Sequence, residues 1–427
     1  MKKWIVGIAF AAASIADAQT IAIVHAKAYV VPGSPPIANA TILIRDGRIG
    51  TVAADATPPA GAHVIDAQGK IVTPGLMNSG TELGLVEAGP ADTTDHAVTT
   101  GTLGAAFDIQ YALNPNSTLL PVARADGLTR AVAFPSASGV PPFAGLGAIL
   151  RLSEGPDILD RPQAAVFATT GGMVSSRVGG SRSAEWILLR MALDEAQRTV
   201  ASKVEARGDM REHDPLLSRV NIAALLPVVR GKTPLAITAH RESDIRQAIK
   251  LADDYKLHII LCGADEAWRA AAALAARKIP VVLNPFDSTP STFDQIGARL
   301  DNVAILQRAG VTISFSVPGV HLSHNAGSII REGAGIAVAN GLPWDQALKA
   351  LTVNPAKTWG IANHYGTLEA GKDADLVIWS GDPLEPVSTA EVVFVQGKQV
   401  SLRTRQTELE QRYSPKHKND PWPPEYR

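Results

Sequence analysis

The sequence predicts an α/β protein: a strand–helix barrel joined to a small β-sheet built from both chain ends. Three observations predict this. From about residue 230 onward, short apolar segments alternate with amphipathic ones, the rhythm of a parallel sheet covered by helices. Residues 20–72 read instead as short strands separated by Pro, Gly and Asp. Strands return near the C-terminus, in "DLVIW" and "AEVVFVQGKQV". Strands at both termini that flank a strand–helix region are most simply gathered into one sheet.

Taken in order, the chain opens with Lys2 and Lys3, an apolar stretch "WIVGIAFAAASI", and "ADA" at positions 16–18. A charged start, a short apolar core and a small-x-small site predict a secretory signal over residues 1–18, hence an exported, periplasmic protein. The segments "TIAIVHAKAYVV", "ATILIRDGRIGTVAA" and "AHVIDAQGKIV" read as an antiparallel sheet, with hairpin turns at Asp46-Gly47 and Gln68-Gly69. "TPLAITAH", "LHIILCG", "IPVVLN" and "VTISFSV" are near-continuous apolar strands, as expected when both faces of a sheet are covered. Between them "SDIRQAIKLADDYK" places Ile245, Ala248, Ile249, Ala252 and Tyr255 on one helical face, with Ser243 as the expected N-cap. "LPWDQALKALTVNPAKTWGI" gives two helices, with the break expected at Asn354-Pro355. The glycines at 171, 172, 179 and 180, with Arg177 and Arg182, make either a surface lid or an anion-binding loop. The organisation expected is residues 19–72 and 364–403 as the two parts of the composite sheet, 73–363 as the barrel, and 404–427 as a charged, proline-rich tail, disordered or draped over the surface.

Composition narrows the function classes. The 427 residues are 46% hydrophobic and 19% charged with a net charge of -1, so no global field attracts nucleic acid, and no basic patch does so locally. After signal removal no segment is long and apolar enough to span a bilayer. Cys262 is the only cysteine, which rules out an intramolecular disulfide; within "LHIILCG" it reads as a small buried hydrophobe rather than a nucleophile.

Four stretches, "GKIVTPGLMNSGTELGLVEAG", "AGLGAILRL", "NGLPWDQALKALTVNPAKTWGI" and "GTLEAGKDADLVIWSGDP", carry a resemblance to the amidohydrolase superfamily, in particular its imidazolonepropionase-like branch. With the rhythm between them, the resemblance spans nearly the whole chain after residue 18. It implies a TIM-type (β/α)8 barrel plus a composite β-sandwich, and a divalent metal, zinc or similar, at the C-terminal mouth of the barrel. Such an ion lowers the pKa of bound water to about 7 and polarises the scissile carbonyl.

The metal positions that the resemblance implies are altered here. The His-x-His places hold Gly80 and Glu82; the place after the fifth strand holds His240, which fits. The place after the sixth strand falls at Cys262 or Gly263, and the aspartate expected after the eighth is replaced by Ser314, Ser316 and Val317. His321 and His324 follow the last barrel strand and, with Glu82 and His240, make a candidate three-His, one-carboxylate set. Asp265 and Glu266 follow the sixth strand, either as a general base or as acids in a helix's first turn. Asp287 and Asp294 read as turn and N-cap residues first, and Asn284 as a polar contact at the seventh strand's end.

The reading these features support is an exported hydrolase of carbon–nitrogen bonds in a small, non-peptide or dipeptide-like substrate, with His240 and Glu82 in catalytic or ligand roles. The alternative is a metal-free relative that binds a small ligand or acts as a scaffold. A homo-oligomer or pairing with a homologue stays open.

Overall fold

The structure, a computed structural model, describes residues 20–87, 95–98, 103–136, 139–201, 216–319 and 322–414. The expected signal segment 1–18, His321 and the end of the tail from 415 lie outside them.

Strands β1 (Ile21–Ala28), β2 (Ile37–Arg45), β3 (Arg48–Ala54), β4 (His63–Asp66) and β5 (Ile71–Pro74) open the chain. The barrel strands follow: β6 (Leu76–Thr81), β7 (Leu128–Ala133), β8 (Phe143–Arg151), β9 (Leu159–Thr169), β10 (Leu235–Ala239), β11 (Ile259–Gly263), β12 (Val281–Leu283) and β13 (Ile313–Phe315). Last come β14 (Leu376–Trp379), β15 (Ala390–Val395) and β16 (Lys398–Gln399). The first and last groups form one sheet in the order β16-β15-β14-β5-β1-β2-β3, with β4 also on β1. Both chain ends therefore meet in a single sheet, around Ile23, Ile42, Ile44, Val72, Leu376 and Phe394.

This sheet is mixed rather than antiparallel. The turn at Asp46-Gly47 joins β2 and β3 as a hairpin, both residues having positive φ. Gln68-Gly69 also has positive φ, yet β4 and β5 each run parallel to β1, along residues 21–24 and 27–28. What reads as a hairpin is one strand direction interrupted by a bulge. Opposite it, His25 also has positive φ and its carbonyl accepts from the Gly69 amide at 2.7 Å.

The barrel sheet runs β6 to β13 in sequence order. Val317 closes it on β6, its amide donating to the Gly80 carbonyl and to Asn78 Oδ1, each at 3.1 Å. One strand departs from the all-parallel pattern: β8 is antiparallel to both β7 and β9. The connections 134–142 and 152–158 are too short for the crossover that parallel neighbours need, so they join antiparallel ones. From β9 to β13 all pairings are parallel.

Two helix boundaries differ from the sequence reading. The helix Glu242–Tyr255 starts one residue before Ser243, and Glu266 from another loop accepts the Glu242 amide at 2.9 Å. A cap supplied across space leaves Ser243 nothing to cap. The break expected at Asn354-Pro355 lies at Thr352, between Trp344–Leu351 and Val353–Thr358. Pro355 falls in the second helix's first turn, where a missing N–H costs nothing. The tail begins as the helix Arg405–Tyr413, opened by a Thr404/Thr407 capping box and burying none of its residues.

The two parts of the molecule are joined at Arg130 on β7, which is fully buried. Its guanidinium meets Asp160 at 2.7 Å, Asp373 at 2.8 Å and Asp375 at 2.7 Å, and lies 5.3 Å from the Tyr365 ring centre. Asp373 and Asp375 come from "GKDADLV", which leads into β14. That segment is thus the electrostatic joint between barrel and sheet.

Candidate active site

The mouth of the barrel is set by the residues that follow its strands. Glu82, one residue past β6, is only 3% exposed. Its carboxylate accepts from the Gly319 amide at 2.9 and 3.0 Å and from the Ser323 hydroxyl at 3.0 Å. These partners follow β13, so Glu82 stitches the seam between the first and last barrel strands. Burial pushes its carboxyl up to about 7, against the opposing pull of those donors.

His240 directly follows β10. Its Nδ1 meets Asp265 Oδ2, and Gln295 Nε2 donates to the same oxygen at 3.3 Å. The imidazole lies flat against Gly263, at the end of the adjacent β11. A Cβ at Gly263 would stand 2.6 Å from His240 Cε1, and its φ of +80° favours glycine as well. Asp265, two residues further along, is thereby carried back to the ring, with the Ala264 amide on the Ala239 carbonyl at 2.9 Å. Adjacent strand ends therefore present a His–Asp pair, the histidine about a third exposed (31%) and the aspartate nearly covered (10%).

The other polar candidates hold the loops. Glu266 accepts from the amides of Glu242 at 2.9 Å and Gly297 at 2.7 Å. Asp294 pairs with Arg182 and accepts from the Gly172 amide at 2.7 Å; Asp244 takes the other arm of Arg182. The charge of Arg182 is thus spent within the protein, and the glycine loop is tied down at that end. Asn284 caps its own turn through the Phe286 amide at 3.2 Å. Asp287 ends the same turn, Pro285–Asp287. Cys262 lines the barrel interior, where burial pushes its thiol up to about 12. At that value it is a neutral thiol at physiological pH rather than a nucleophile.

A divalent ion does not fit the described donors. Gly80 offers none, and a Cβ there would already stand 3.3 Å from Ser316 Cβ and 3.4 Å from Phe134 Cε1. Phe134 stacks on Phe167 at 5.5 Å, and Phe167 on Trp359 at 5.9 Å. An aromatic column thus runs through the barrel interior to Gly80. Among the described residues no three His, Cys, Asp or Glu side chains are grouped to hold a metal, so Glu82, His240 and His324 make no ligand set by themselves. His324 lies in the turn Ser323–Asn325. Sequence reading missed Gln295 and the aromatic column. The glycines at 80 and 147 are traces of the column, since a Cβ at 147 would stand 2.4 Å from the Phe167 ring.

Comparison with known proteins bears on this arrangement. Residues 232–400 match the model of the amidohydrolase family. A dihydroorotase of Pelotomaculum thermopropionicum is 24% identical over 413 residues, which is 88% of this chain and 92% of that one. An imidazolonepropionase of Thermoplasma volcanium is 30% identical over 126 residues, but the match spans only 31% of that protein and 28% of this chain. The crystal structure of an amidohydrolase from Thermotoga maritima superposes with a TM-score of 0.80 at 25% identity, covering 90% of this chain and all of that one.

Proposed function

The chain belongs to the amidohydrolase superfamily, and from that premise we propose that it is an exported hydrolase that cleaves a carbon–nitrogen bond in a small substrate at the barrel mouth. The observation that carries this reading is the His240–Asp265 pair on adjacent strand ends. The C-terminal edge is where barrels of this type place their chemistry. The signal-like residues 1–18 support export to the periplasm. Cyclic amides and dipeptide-like compounds are the substrate classes to try first. Nucleic acid and membrane are not among the partners proposed.

In this reading Asp265 accepts a hydrogen bond from Nδ1–H of His240, which leaves Nε2 as the basic nitrogen. Nε2 takes a proton from water as the water oxygen bonds to the carbonyl carbon and the carbonyl becomes an oxyanion. When the oxyanion collapses, the C–N bond breaks and the imidazolium returns the proton to the leaving nitrogen. Glu82 holds the seam between β6 and the residues after β13 and takes no part in these proton transfers.

The test is amine release from a panel of cyclic amides, N-acyl amino acids and dipeptides, in wild type, His240→Ala and Asp265→Asn. Loss of about 100- to 10,000-fold in His240→Ala is expected from removing a general base. Turnover unchanged in that variant would sink the reading. The packing of Phe134 at Gly80 favours a second reading, a ligand-binding or scaffolding protein. Calorimetric binding of the same compounds without any product would select it.

A further inference from the structure

We propose that Gln295 is a positioning residue for His240, acting through Asp265; for its catalytic consequence this rests on the hydrolase reading above. Gln295 is 9% exposed, on a loop whose neighbours Ser291, Thr292, Phe293 and Ile296 are all exposed. A polar side chain turned inward from a solvated loop has a task there, because its amide must be satisfied on both ends. Both ends are satisfied. Oε1 accepts from Ser291 Oγ at 2.6 Å and from Thr292 Oγ1 at 3.1 Å. The Asp265 carboxylate can only accept, so the end of the amide that faces it is the NH2 group and the end at the two hydroxyls is the carbonyl oxygen. That NH2 donates to Asp265 Oδ2, the oxygen that faces His240 Nδ1.

The loop is fastened on either side of Gln295. Asp294 takes the Gly172 amide and one arm of Arg182; Gly297 donates to Glu266 at 2.7 Å. Gly172 and Glu266 lie just past β9 and β11, and Arg182 opens the helix Arg182–Ala201, so Gln295 is held against Asp265 by the barrel and that helix. The consequence is chemical. A carboxylate fixed by a second donor cannot swing away from the ring, so the imidazole keeps its proton on Nδ1 and its lone pair on Nε2. Groups that orient a histidine's partner typically change activity by about 10- to 100-fold when removed.

The experiment reads the ring directly. 15N spectra of the labelled protein, with the His240 signals identified by their loss in His240→Ala, are compared for wild type, Gln295→Leu, Asp265→Asn and the exposed double variant Ser291→Ala/Thr292→Val. Wild type is expected to show the Nδ1–H tautomer, Gln295→Leu a mixture of the two tautomers, and the double variant a partial shift with an unchanged unfolding midpoint. On any substrate that is turned over, kcat falls about tenfold in Gln295→Leu with KM unchanged. Wild-type spectra in Gln295→Leu, alongside altered spectra in Asp265→Asn, would overturn the proposal. If no substrate is turned over, the hydrolase reading fails, and the spectra still decide the role of Gln295.

Discussion

Glu82 reaches across the seam of the barrel to Ser323, whose hydroxyl donates to its carboxylate at 3.0 Å. The carboxyl is buried, and its pKa is pushed from 4.5 up to about 7. The folded state therefore binds this proton more tightly than the unfolded one. The resulting stability is fully present below about pH 4.5 and is lost as pH rises through about 7, roughly 3 kcal/mol in all. Glu82→Gln removes that dependence. Denaturant unfolding at pH 5 and pH 8 should show a steeper decline in wild type than in the variant.

Arg130 faces three carboxylates at the joint between barrel and sheet. Replacing it with Met leaves Asp375 buried without its cation and Asp373 with only the longer contact to Arg48 at 3.8 Å. A loss of about 3–5 kcal/mol follows from breaking a buried pair on one side only. Arg130→Lys should recover little, since one ammonium cannot fork between three acceptors. Chemical unfolding of both variants measures the difference.

The aromatic column through the barrel makes opposite errors of volume costly. Phe167→Ala empties its middle and should cost about 3–5 kcal/mol. Gly147→Ala pushes a methyl into the same ring, with a Cβ 2.4 Å from Phe167, and should cost about 1–3 kcal/mol. Combining the two should cost less than the sum of the single losses, because the cavity receives the added methyl. Thermal midpoints of the three proteins check this.

Gly263→Ala drives a methyl into the His240 ring from a backbone conformation that itself disfavours alanine. The ring must leave Asp265, so the variant should lose catalysis as His240→Ala does while remaining folded. Turnover assays read beside far-ultraviolet circular dichroism separate the two effects.

Cys262 should be inert. With its thiol pushed up to about 12, folded protein at pH 8 should react with a thiol reagent far more slowly than protein in denaturant. Cys262→Ser should leave any turnover in place, and rapid labelling of the folded protein would contradict this.

Much of the barrel was legible from periodicity alone, because the β10 to β13 strands are short apolar runs separated by amphipathic helices. "SDIRQAIKLADDYK" is a helix wherever it sits, since its apolar residues share one face. The position of His240 was legible for the same reason: it directly follows a strand whose end is easy to read. Strand direction was less so. The inversion of β8 depends on the shortness of two connections rich in Pro, Gly and Ser, and the parallel run of β4 and β5 depends on a bulge opposite His25.

The linear order of residues determined the fold class, the gathering of both chain ends into one sheet, and the absence of a side-chain donor at Gly80. Each of these follows from local pattern or from the identity of a single side chain. Tertiary structure decided which polar groups meet. Asp265 reaches His240 from the next strand, Gln295 reaches Asp265 across 30 positions, and Glu82 finds Ser323 across 241. Such contacts depend on how strand ends converge when a sheet closes into a cylinder, a geometry that no local stretch of sequence encodes.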